Sequence, residues 1–266
     1  MEVIGIDPAP SKKSTVVKDG LPAESEPAQG LFAFLRRQRN EHKSLLLCWD
    51  SPLTGPAVPS SEKVIGSDHT QRPIEKFFMR EAGLKTPSGI SVLQYGGCPH
   101  WTISQRLFGL PRTGQYMRDW EDLPFTLLTD NQPLSEPGHY VAEVHPAVAL
   151  WLWCWPEEES RTTSGWNYKD DDDVRTELWD ILTSHLSEIG FLNGSFRAEP
   201  SSDDDVDAFV SWALGCLWAK GEGEVVAVGN RKTGSFLLPC RGDLNPEERF
   251  ENFVAEKLDD ADIYLG

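Results

Sequence analysis

Along the first fifty residues the apolar positions come in short runs divided by turn formers. "VIGID" and "STVVKD" are β-branched runs separated by a Pro/Ser/Lys turn, and Gly20 allows a further reversal into a short "LPAES". Together they predict an antiparallel meander. In "EPAQGLFAFLRRQRNEH" apolar residues stand at 32, 34 and 35, and cations gather toward the C-terminal end where a helix dipole favours them. Residues 26–41 therefore read as a helix. "SLLLCWD" is continuously apolar, as a strand covered on both faces must be.

After Asp50 the pattern breaks into a Gly/Pro/Ser-rich stretch, "SPLTGPAVPSSEKVIGSDHT", with short helices predicted at 70–82 and 101–108. The next buried strand is "HYVAEV", so the span 51–138 reads as a large insertion after the fourth strand. In "HPAVALWLWCW", Pro146 is well placed for the first turn of a helix. "EEESRTTSGWNYKDDDD" reads as an exposed acidic loop, followed by helices at 172–188 and 203–219. "GEVVAVGNRKTGSFLLP" reads as a hairpin, and "PEERFENFVAEKL" as a closing helix. Meander, helix, strand, helices, strand, helices is an α/β pattern with a mixed sheet, here one domain over residues 1–266. Ligands in such sheets gather beyond the carboxyl ends of the parallel strands.

Composition narrows the setting. With 39% apolar residues and ten tryptophans the chain can build a substantial core. Its five cysteines show no C-x-x-C and no secretory segment precedes them, which points to a reducing, cytoplasmic location without disulfides or zinc. "VALWLWCW" is too short to span a membrane, and the sequence leaves the oligomeric state open. A net charge of -17 excludes a general nucleic-acid coat protein. The charge is uneven, though: residues 70–118 carry seven Lys/Arg against two acids, a local +5. That segment is either a set of solvated helix faces or a surface for an anion.

The chemistry-bearing residues are carboxylates at predicted strand ends: Asp7 in "GIDP", Asp50 in "CWDSP" and Glu143 in "AEVHP". If the three strands are parallel neighbours, these acids share one edge of the sheet. A fourth element, "SSDDDVDAFVSWALG", has Ser202 as N-cap and places Asp204 and Asp207 on one helix face. First-turn acids suit the helix dipole, which accounts for Asp203 to Asp205. Asp207 lies beside the apolar stripe, where an unpaired carboxylate is costly to bury. The run of three aspartates leaves open which of them faces the site. Clustered acids need a cation, and hard oxygen donors without Cys or paired His point to Mg²⁺ or Mn²⁺. Two such ions can activate a water and stabilise the leaving oxygen of a phosphodiester.

These motifs resemble a known group. "IGIDPAPSKKSTVV" resembles the first hairpin of the ribonuclease H-like superfamily, and "DDVDAFVSWALG" resembles the D-x-x-D-A helix of RuvC-like Holliday-junction resolvases. The set "GIDP", "WDSPL", "QRPIEKFFMREAG", "AEVHPA", "DDDVDAFVSWALG" and "EVVAVGNRKTGSFLLP" is similar to the domain of unknown function 429 family, described as RNase H-like nucleases. The resemblance implies a ribonuclease H-like mixed five-stranded sheet flanked by helices, three strands antiparallel and two parallel. It also implies Asp7, Asp50, Asp204 and Asp207 as the catalytic, metal-binding acids. Glu143 matches a motif of the smaller family alone, and is expected as a fifth catalytic acid that is not a metal ligand. This chain departs from the pattern in its brief third strand and in its long insertion.

Three functions compete. A metal-dependent phosphodiester hydrolase, a nuclease, would act on nucleic acid or a small phosphodiester, using Lys12, Lys13, Arg72 and Lys76 for phosphates and His145 to orient water or phosphate. A phosphotransferase of the actin or sugar-kinase type would bind nucleotide, although "DPAPSKKST" lacks the glycine that lets backbone approach phosphate. A non-enzymatic binding module would use the acids as caps and turn formers. Trp151, Trp153 and Trp155 read as packing residues, Cys48 and Cys216 as buried thiols, and Ser51 and Ser104 lack the setting of a nucleophile.

Overall fold

The computed structural model describes residues 1–9, 13–20, 24–26, 30–53, 72–78, 104, 107–108, 124–131, 137–154, 167–193, 199–231, 233–240 and 245–257. Lys12 and Trp155 lie outside the described residues, as does all of 54–123 apart from 72–78, 104 and 107–108.

The opening meander forms as its alternation dictates. β1 (Glu2–Asp7) pairs antiparallel with β2 (Ser14–Lys18), and β2 with β3 (Glu24–Glu26). On the other side of β1 lies β4 (Leu45–Trp49), the fully buried "LLLCW", in parallel. β6 (His139–Glu143) follows β4, again in parallel. The expected five strands are joined by a sixth, β5 (Thr126–Leu128), parallel to β6 at the edge. The order is β3-β2-β1-β4-β6-β5. β5 escapes a reading of the sequence because three residues are too few to show a two-residue period.

Each face of this sheet buries its own cluster. Ile4, Ile6, Leu45, Leu47, Trp49 and Val141 pack with Leu31, Phe34 and Leu35 of α1 (Leu31–Glu41). That helix begins later than the predicted 26–41, after Gly30. Val3, Leu46, Cys48, Ala142 and Val144 pack on the opposite side with α3 (Pro146–Cys154), α4 (Asp172–Glu188) and α5 (Asp203–Lys220). Helix α4 has the predicted bounds, with Asp171 as its cap accepting from the Asp173 and Val174 amides. Helix α5 is capped by Ser202, whose hydroxyl accepts from Asp205 N at 3.2 Å, and stops at Gly221 in a left-handed conformation.

Two glycines seat α5 on the sheet. A β-carbon at Gly5 of β1 would overlap the Ala208 carbonyl oxygen and lie 2.8 Å from the Trp212 α-carbon. At Gly215 one would overlap the Cys48 sulfur and come within 2.7 Å of Val3. Strand and helix backbones thus approach closely at Gly5, two residues before Asp7 and one turn from Asp204 and Asp207.

A hairpin of β7 (Val225–Asn230) and β8 (Gly234–Pro239) forms a second small sheet, joined to the end of β6 by a Val144–Leu237 bridge. Above it lies α2 (Pro73–Lys76), with Ile74 N donating to Thr233 O at 3.0 Å. Phe77 packs against Phe250 and Phe253 of α6 (Pro246–Lys257). Segment 72–78 and β5, both within the predicted insertion, are therefore built into the body of the protein. Among the described residues no helix is long and apolar enough to cross a membrane.

Candidate functional site

Register decides which acids meet. Ile6 is level with Trp49, and Trp49 with Glu143. One step further, Asp50 N donates to Ile6 O at 3.0 Å, which brings Asp7 and Asp50 abreast on adjacent parallel strands, about 4.8 Å apart at the backbone. Both continue the series that faces α5, Asp7 after Val3 and Gly5, Asp50 after Leu46 and Cys48. Their side chains therefore emerge where α5 begins.

Helix α5 brings the other two acids. Asp207, 2% exposed, follows the helix face that packs on β1, and Asp204 lies one turn before it. The aspartate run sorts itself by hydrogen bonding. Asp205 turns away and accepts from Ser201 N at 2.8 Å and Ser201 Oγ at 2.6 Å. Asp204 instead hydrogen-bonds to Asp7. Two carboxyl groups can bond to each other only with a proton between them, and burial is the main force that holds it there. Burial, then Asp50, Asp207 and Asp204 in turn, push the Asp7 carboxyl up to about 9. Asp50 is raised by burial first and then by Asp207, partly offset by Lys169.

Asp207 has partners that no motif indicated. Tyr168 OH donates to its Oδ1 at 2.7 Å, and Lys169 Nζ donates to its Oδ2 at 2.8 Å. Burial raises its proton affinity while Lys169 opposes the rise. Tyr168 is 2% exposed, which corrects the expectation of an exposed acidic loop at this point. An aromatic beside a lysine in a polar run, just ahead of a helix cap, was the available signal.

Glu143 does not join the four aspartates. It lies one register level lower and continues Val141 on the α1 face. Its Oε2 accepts from Leu53 N at 2.9 Å and from Arg72 Nη1 at 2.7 Å, and Arg72 Nη2 donates to its Oε1. Arg72 also donates from Nε to Glu75 Oε1 at 2.9 Å and lies over the Phe236 ring. A guanidinium 2% exposed between two glutamates is a buried structural pair and not the phosphate contact expected of Arg72. Glu143 accordingly anchors the chain that follows Asp50, through Leu53.

His145 packs edge-on to Phe236, with ring centroids 5.4 Å apart, and its buried Nδ1 has no hydrogen-bond partner among the described residues. Burial, then Lys169, lowers it to about 3, so the ring is neutral. Lys13 is exposed in the β1–β2 turn, next to the Asp7 end of the sheet, and Lys76 is half-buried in α2. Ser104 accepts from Trp49 Nε1 at 2.8 Å and donates to Ser51 Oγ, in a buried polar contact. Trp151 and Cys48 are buried as expected.

Among the described residues no three Asp, Glu, His or Cys side chains are already gathered around one metal position. The donor set nonetheless suits a hard divalent cation by its chemistry: four carboxylates, of which Asp7, Asp50 and Asp207 have their proton affinity raised by burial and by acidic neighbours. Fold and site thus define an α/β protein with a mixed sheet and an acidic centre at the carboxyl ends of two central parallel strands. Comparison with protein-family models, with curated proteins and with solved structures returned no match for this chain.

Proposed function

We propose that this chain is a divalent-metal-dependent phosphodiester hydrolase, a nuclease of RNase H-like design, with Asp7, Asp50, Asp204 and Asp207 as ligands of Mg²⁺ or Mn²⁺. The observation that carries the reading is the meeting of Asp7 and Asp50, abreast on β1 and β4, with the first turns of α5. Asp7 and Asp50 each have their proton affinity raised by the other acids near them, a cost that a cation between them would relieve. The strand order β3-β2-β1-β4-β6, antiparallel then parallel, also agrees with the superfamily pattern.

In this reading the two strand acids present rigid ligands and α5 brings the other two to them. A bound cation would lower the pKa of a water and offset charge on the phosphoryl oxygens. Lys13, at the open rim, would hold a phosphate oxygen of nucleic acid or of a small diester. Glu143 and Arg72 keep the Asp50 loop in place and take no part in the chemistry.

The test is hydrolysis of single- and double-stranded DNA, RNA and a chromogenic phosphodiester with Mn²⁺. Cleavage that EDTA stops and that Asp7→Asn abolishes, in a protein that still folds, is the expected result. A wild-type protein inert on every substrate overturns the reading in favour of a binding module.

A further inference from the structure

Lys169 occupies an unusual position. Its ammonium is 2.8 Å from Asp207 Oδ2, while half of its side chain, 51%, stays exposed. Burial disfavours its charge, yet Asp207, Asp50 and Asp7 together raise its affinity for the proton. It also lowers the proton affinity of Asp50 and Asp207. One ammonium therefore serves the same carboxylates that the proposed function assigns to a divalent ion.

The turn that carries it is firmly held. Tyr168 is buried and bonded to the other oxygen of Asp207, its carbonyl accepts from Arg175 Nη1 at 3.1 Å, and Asn167 O accepts from the Asp170 and Asp171 amides. The backbone is thus fixed from both sides while the lysine stem runs out along the surface. A lysine chain has four rotatable bonds and readily moves from one polar partner to water. The Tyr168 hydroxyl would stay on Asp207 Oδ1 after the ammonium had gone.

We infer that Lys169 is a built-in counter-cation of the four-aspartate site, seated on Asp207 in the ion-free protein and displaced into solvent when a divalent cation enters. The inference rests on the reading of the four aspartates as cation ligands and adds a competitor to it. The site then discriminates by charge: a divalent ion satisfies several carboxylates at once, whereas the ammonium offers one charge and must leave. Lys169 sets the concentration at which the cation enters.

Two measurements on the full chain separate this inference from the function on which it rests. The first is Mn²⁺ binding to metal-free protein by calorimetry, with no substrate present. Removing one positive charge this close to the ligands is expected to tighten Mn²⁺ binding about tenfold or more in Lys169→Met, with Lys169→Arg close to wild type. Equal or weaker binding by Lys169→Met overturns displacement. The second is a double-mutant cycle in EDTA with Lys169→Met, Asp207→Asn and the pair, read by urea unfolding. The counter-ion role predicts that the lysine substitution destabilises the wild-type background and has little effect when Asp207 is already neutral. Equal effects in both backgrounds overturn the role. If neither wild type nor Lys169→Met binds Mn²⁺, the metal-dependent function and the displacement step both fall, and the cycle alone decides whether Lys169 is the counter-ion.

Discussion

Gly5 and Ala208 face each other with no room for a side chain between them: a β-carbon on Gly5 would overlap the Ala208 carbonyl oxygen. This contact seats α5 against β1 and sets how near Asp204 and Asp207 come to Asp7. Gly5→Ala must therefore move a helix backbone, since the overlapping atoms belong to the main chain and cannot rotate away. It is expected to cost about 1–3 kcal/mol or more in urea unfolding and to weaken cation binding as well.

Asp7 holds a proton in the folded, ion-free protein that the unfolded chain releases. Its ordinary value of 3.8 rises to about 9. A carboxyl raised in the native state contributes full stability below the unfolded value, and that contribution is lost as pH climbs toward the folded one. In EDTA the wild-type protein should thus lose stability between about pH 4 and 9 through this group. Asp7→Asn, neutral throughout, should flatten that trend and be the more stable protein at alkaline pH, by an amount on the order of 1 kcal/mol or more. Urea unfolding at several pH values checks both.

His145 runs the other way. Its native value is lowered to about 3 from 6.5, so the folded state resists protonation. Stability from this group is present above the unfolded value and is lost as pH falls below it. Its ring resonances should show no titration between about pH 5 and 8 by NMR, the range in which an ordinary histidine changes charge. A midpoint near 6.5 would mean that the Phe236 contact leaves the ring open to water.

The Arg72–Glu143 pair should be intolerant of loss on one side. Glu143→Ala leaves the Arg72 guanidinium with a gap in a buried site and frees Leu53 N, for an expected cost of about 3–5 kcal/mol by chemical denaturation. Any loss of phosphodiester cleavage should follow the loss of folded protein, since the Glu143 carboxylate is tied up by Arg72 and Leu53 N and touches the acids only through its charge on Asp50.

Tyr168→Phe removes one donor to a buried carboxylate and leaves the ring in place. The expected loss is about 1–3 kcal/mol. Lys169 still reaches Oδ2 in this variant, so Mn²⁺ binding should persist.

Local patterning made the strands and helices legible because period and turn chemistry act over a few residues. The same patterning placed Asp7, Asp50, Asp204 and Asp207 at element ends. What it could not supply was register. Glu143 ends a parallel neighbour of β4, yet one step of offset sends it to the other face of the sheet. Arg72 belonged to a segment with a surplus of cations, and only tertiary contact turned it inward. Tyr168 and Lys169 were hidden because polar composition marks a loop without saying which of its side chains turns back.

Chain connectivity makes the acidic centre a late product of folding. The β1–β2 hairpin closes over a few residues, whereas the Leu53–Glu143 contact closes a loop of 90 and Asp207 comes still later along the chain. Each doubling of loop length adds only about 0.6 kcal/mol of closure entropy, but such distant pairings wait until shorter ones have formed. Asp7 and Asp50 come abreast when β1 pairs with β4, and Asp204 and Asp207 join them only when α5 docks, so repulsion between the two pairs opposes that docking. The first turn of α5 is then the place where the native protein relieves that repulsion most easily, and it should exchange its amide hydrogens faster than the glycine-seated middle of the same helix.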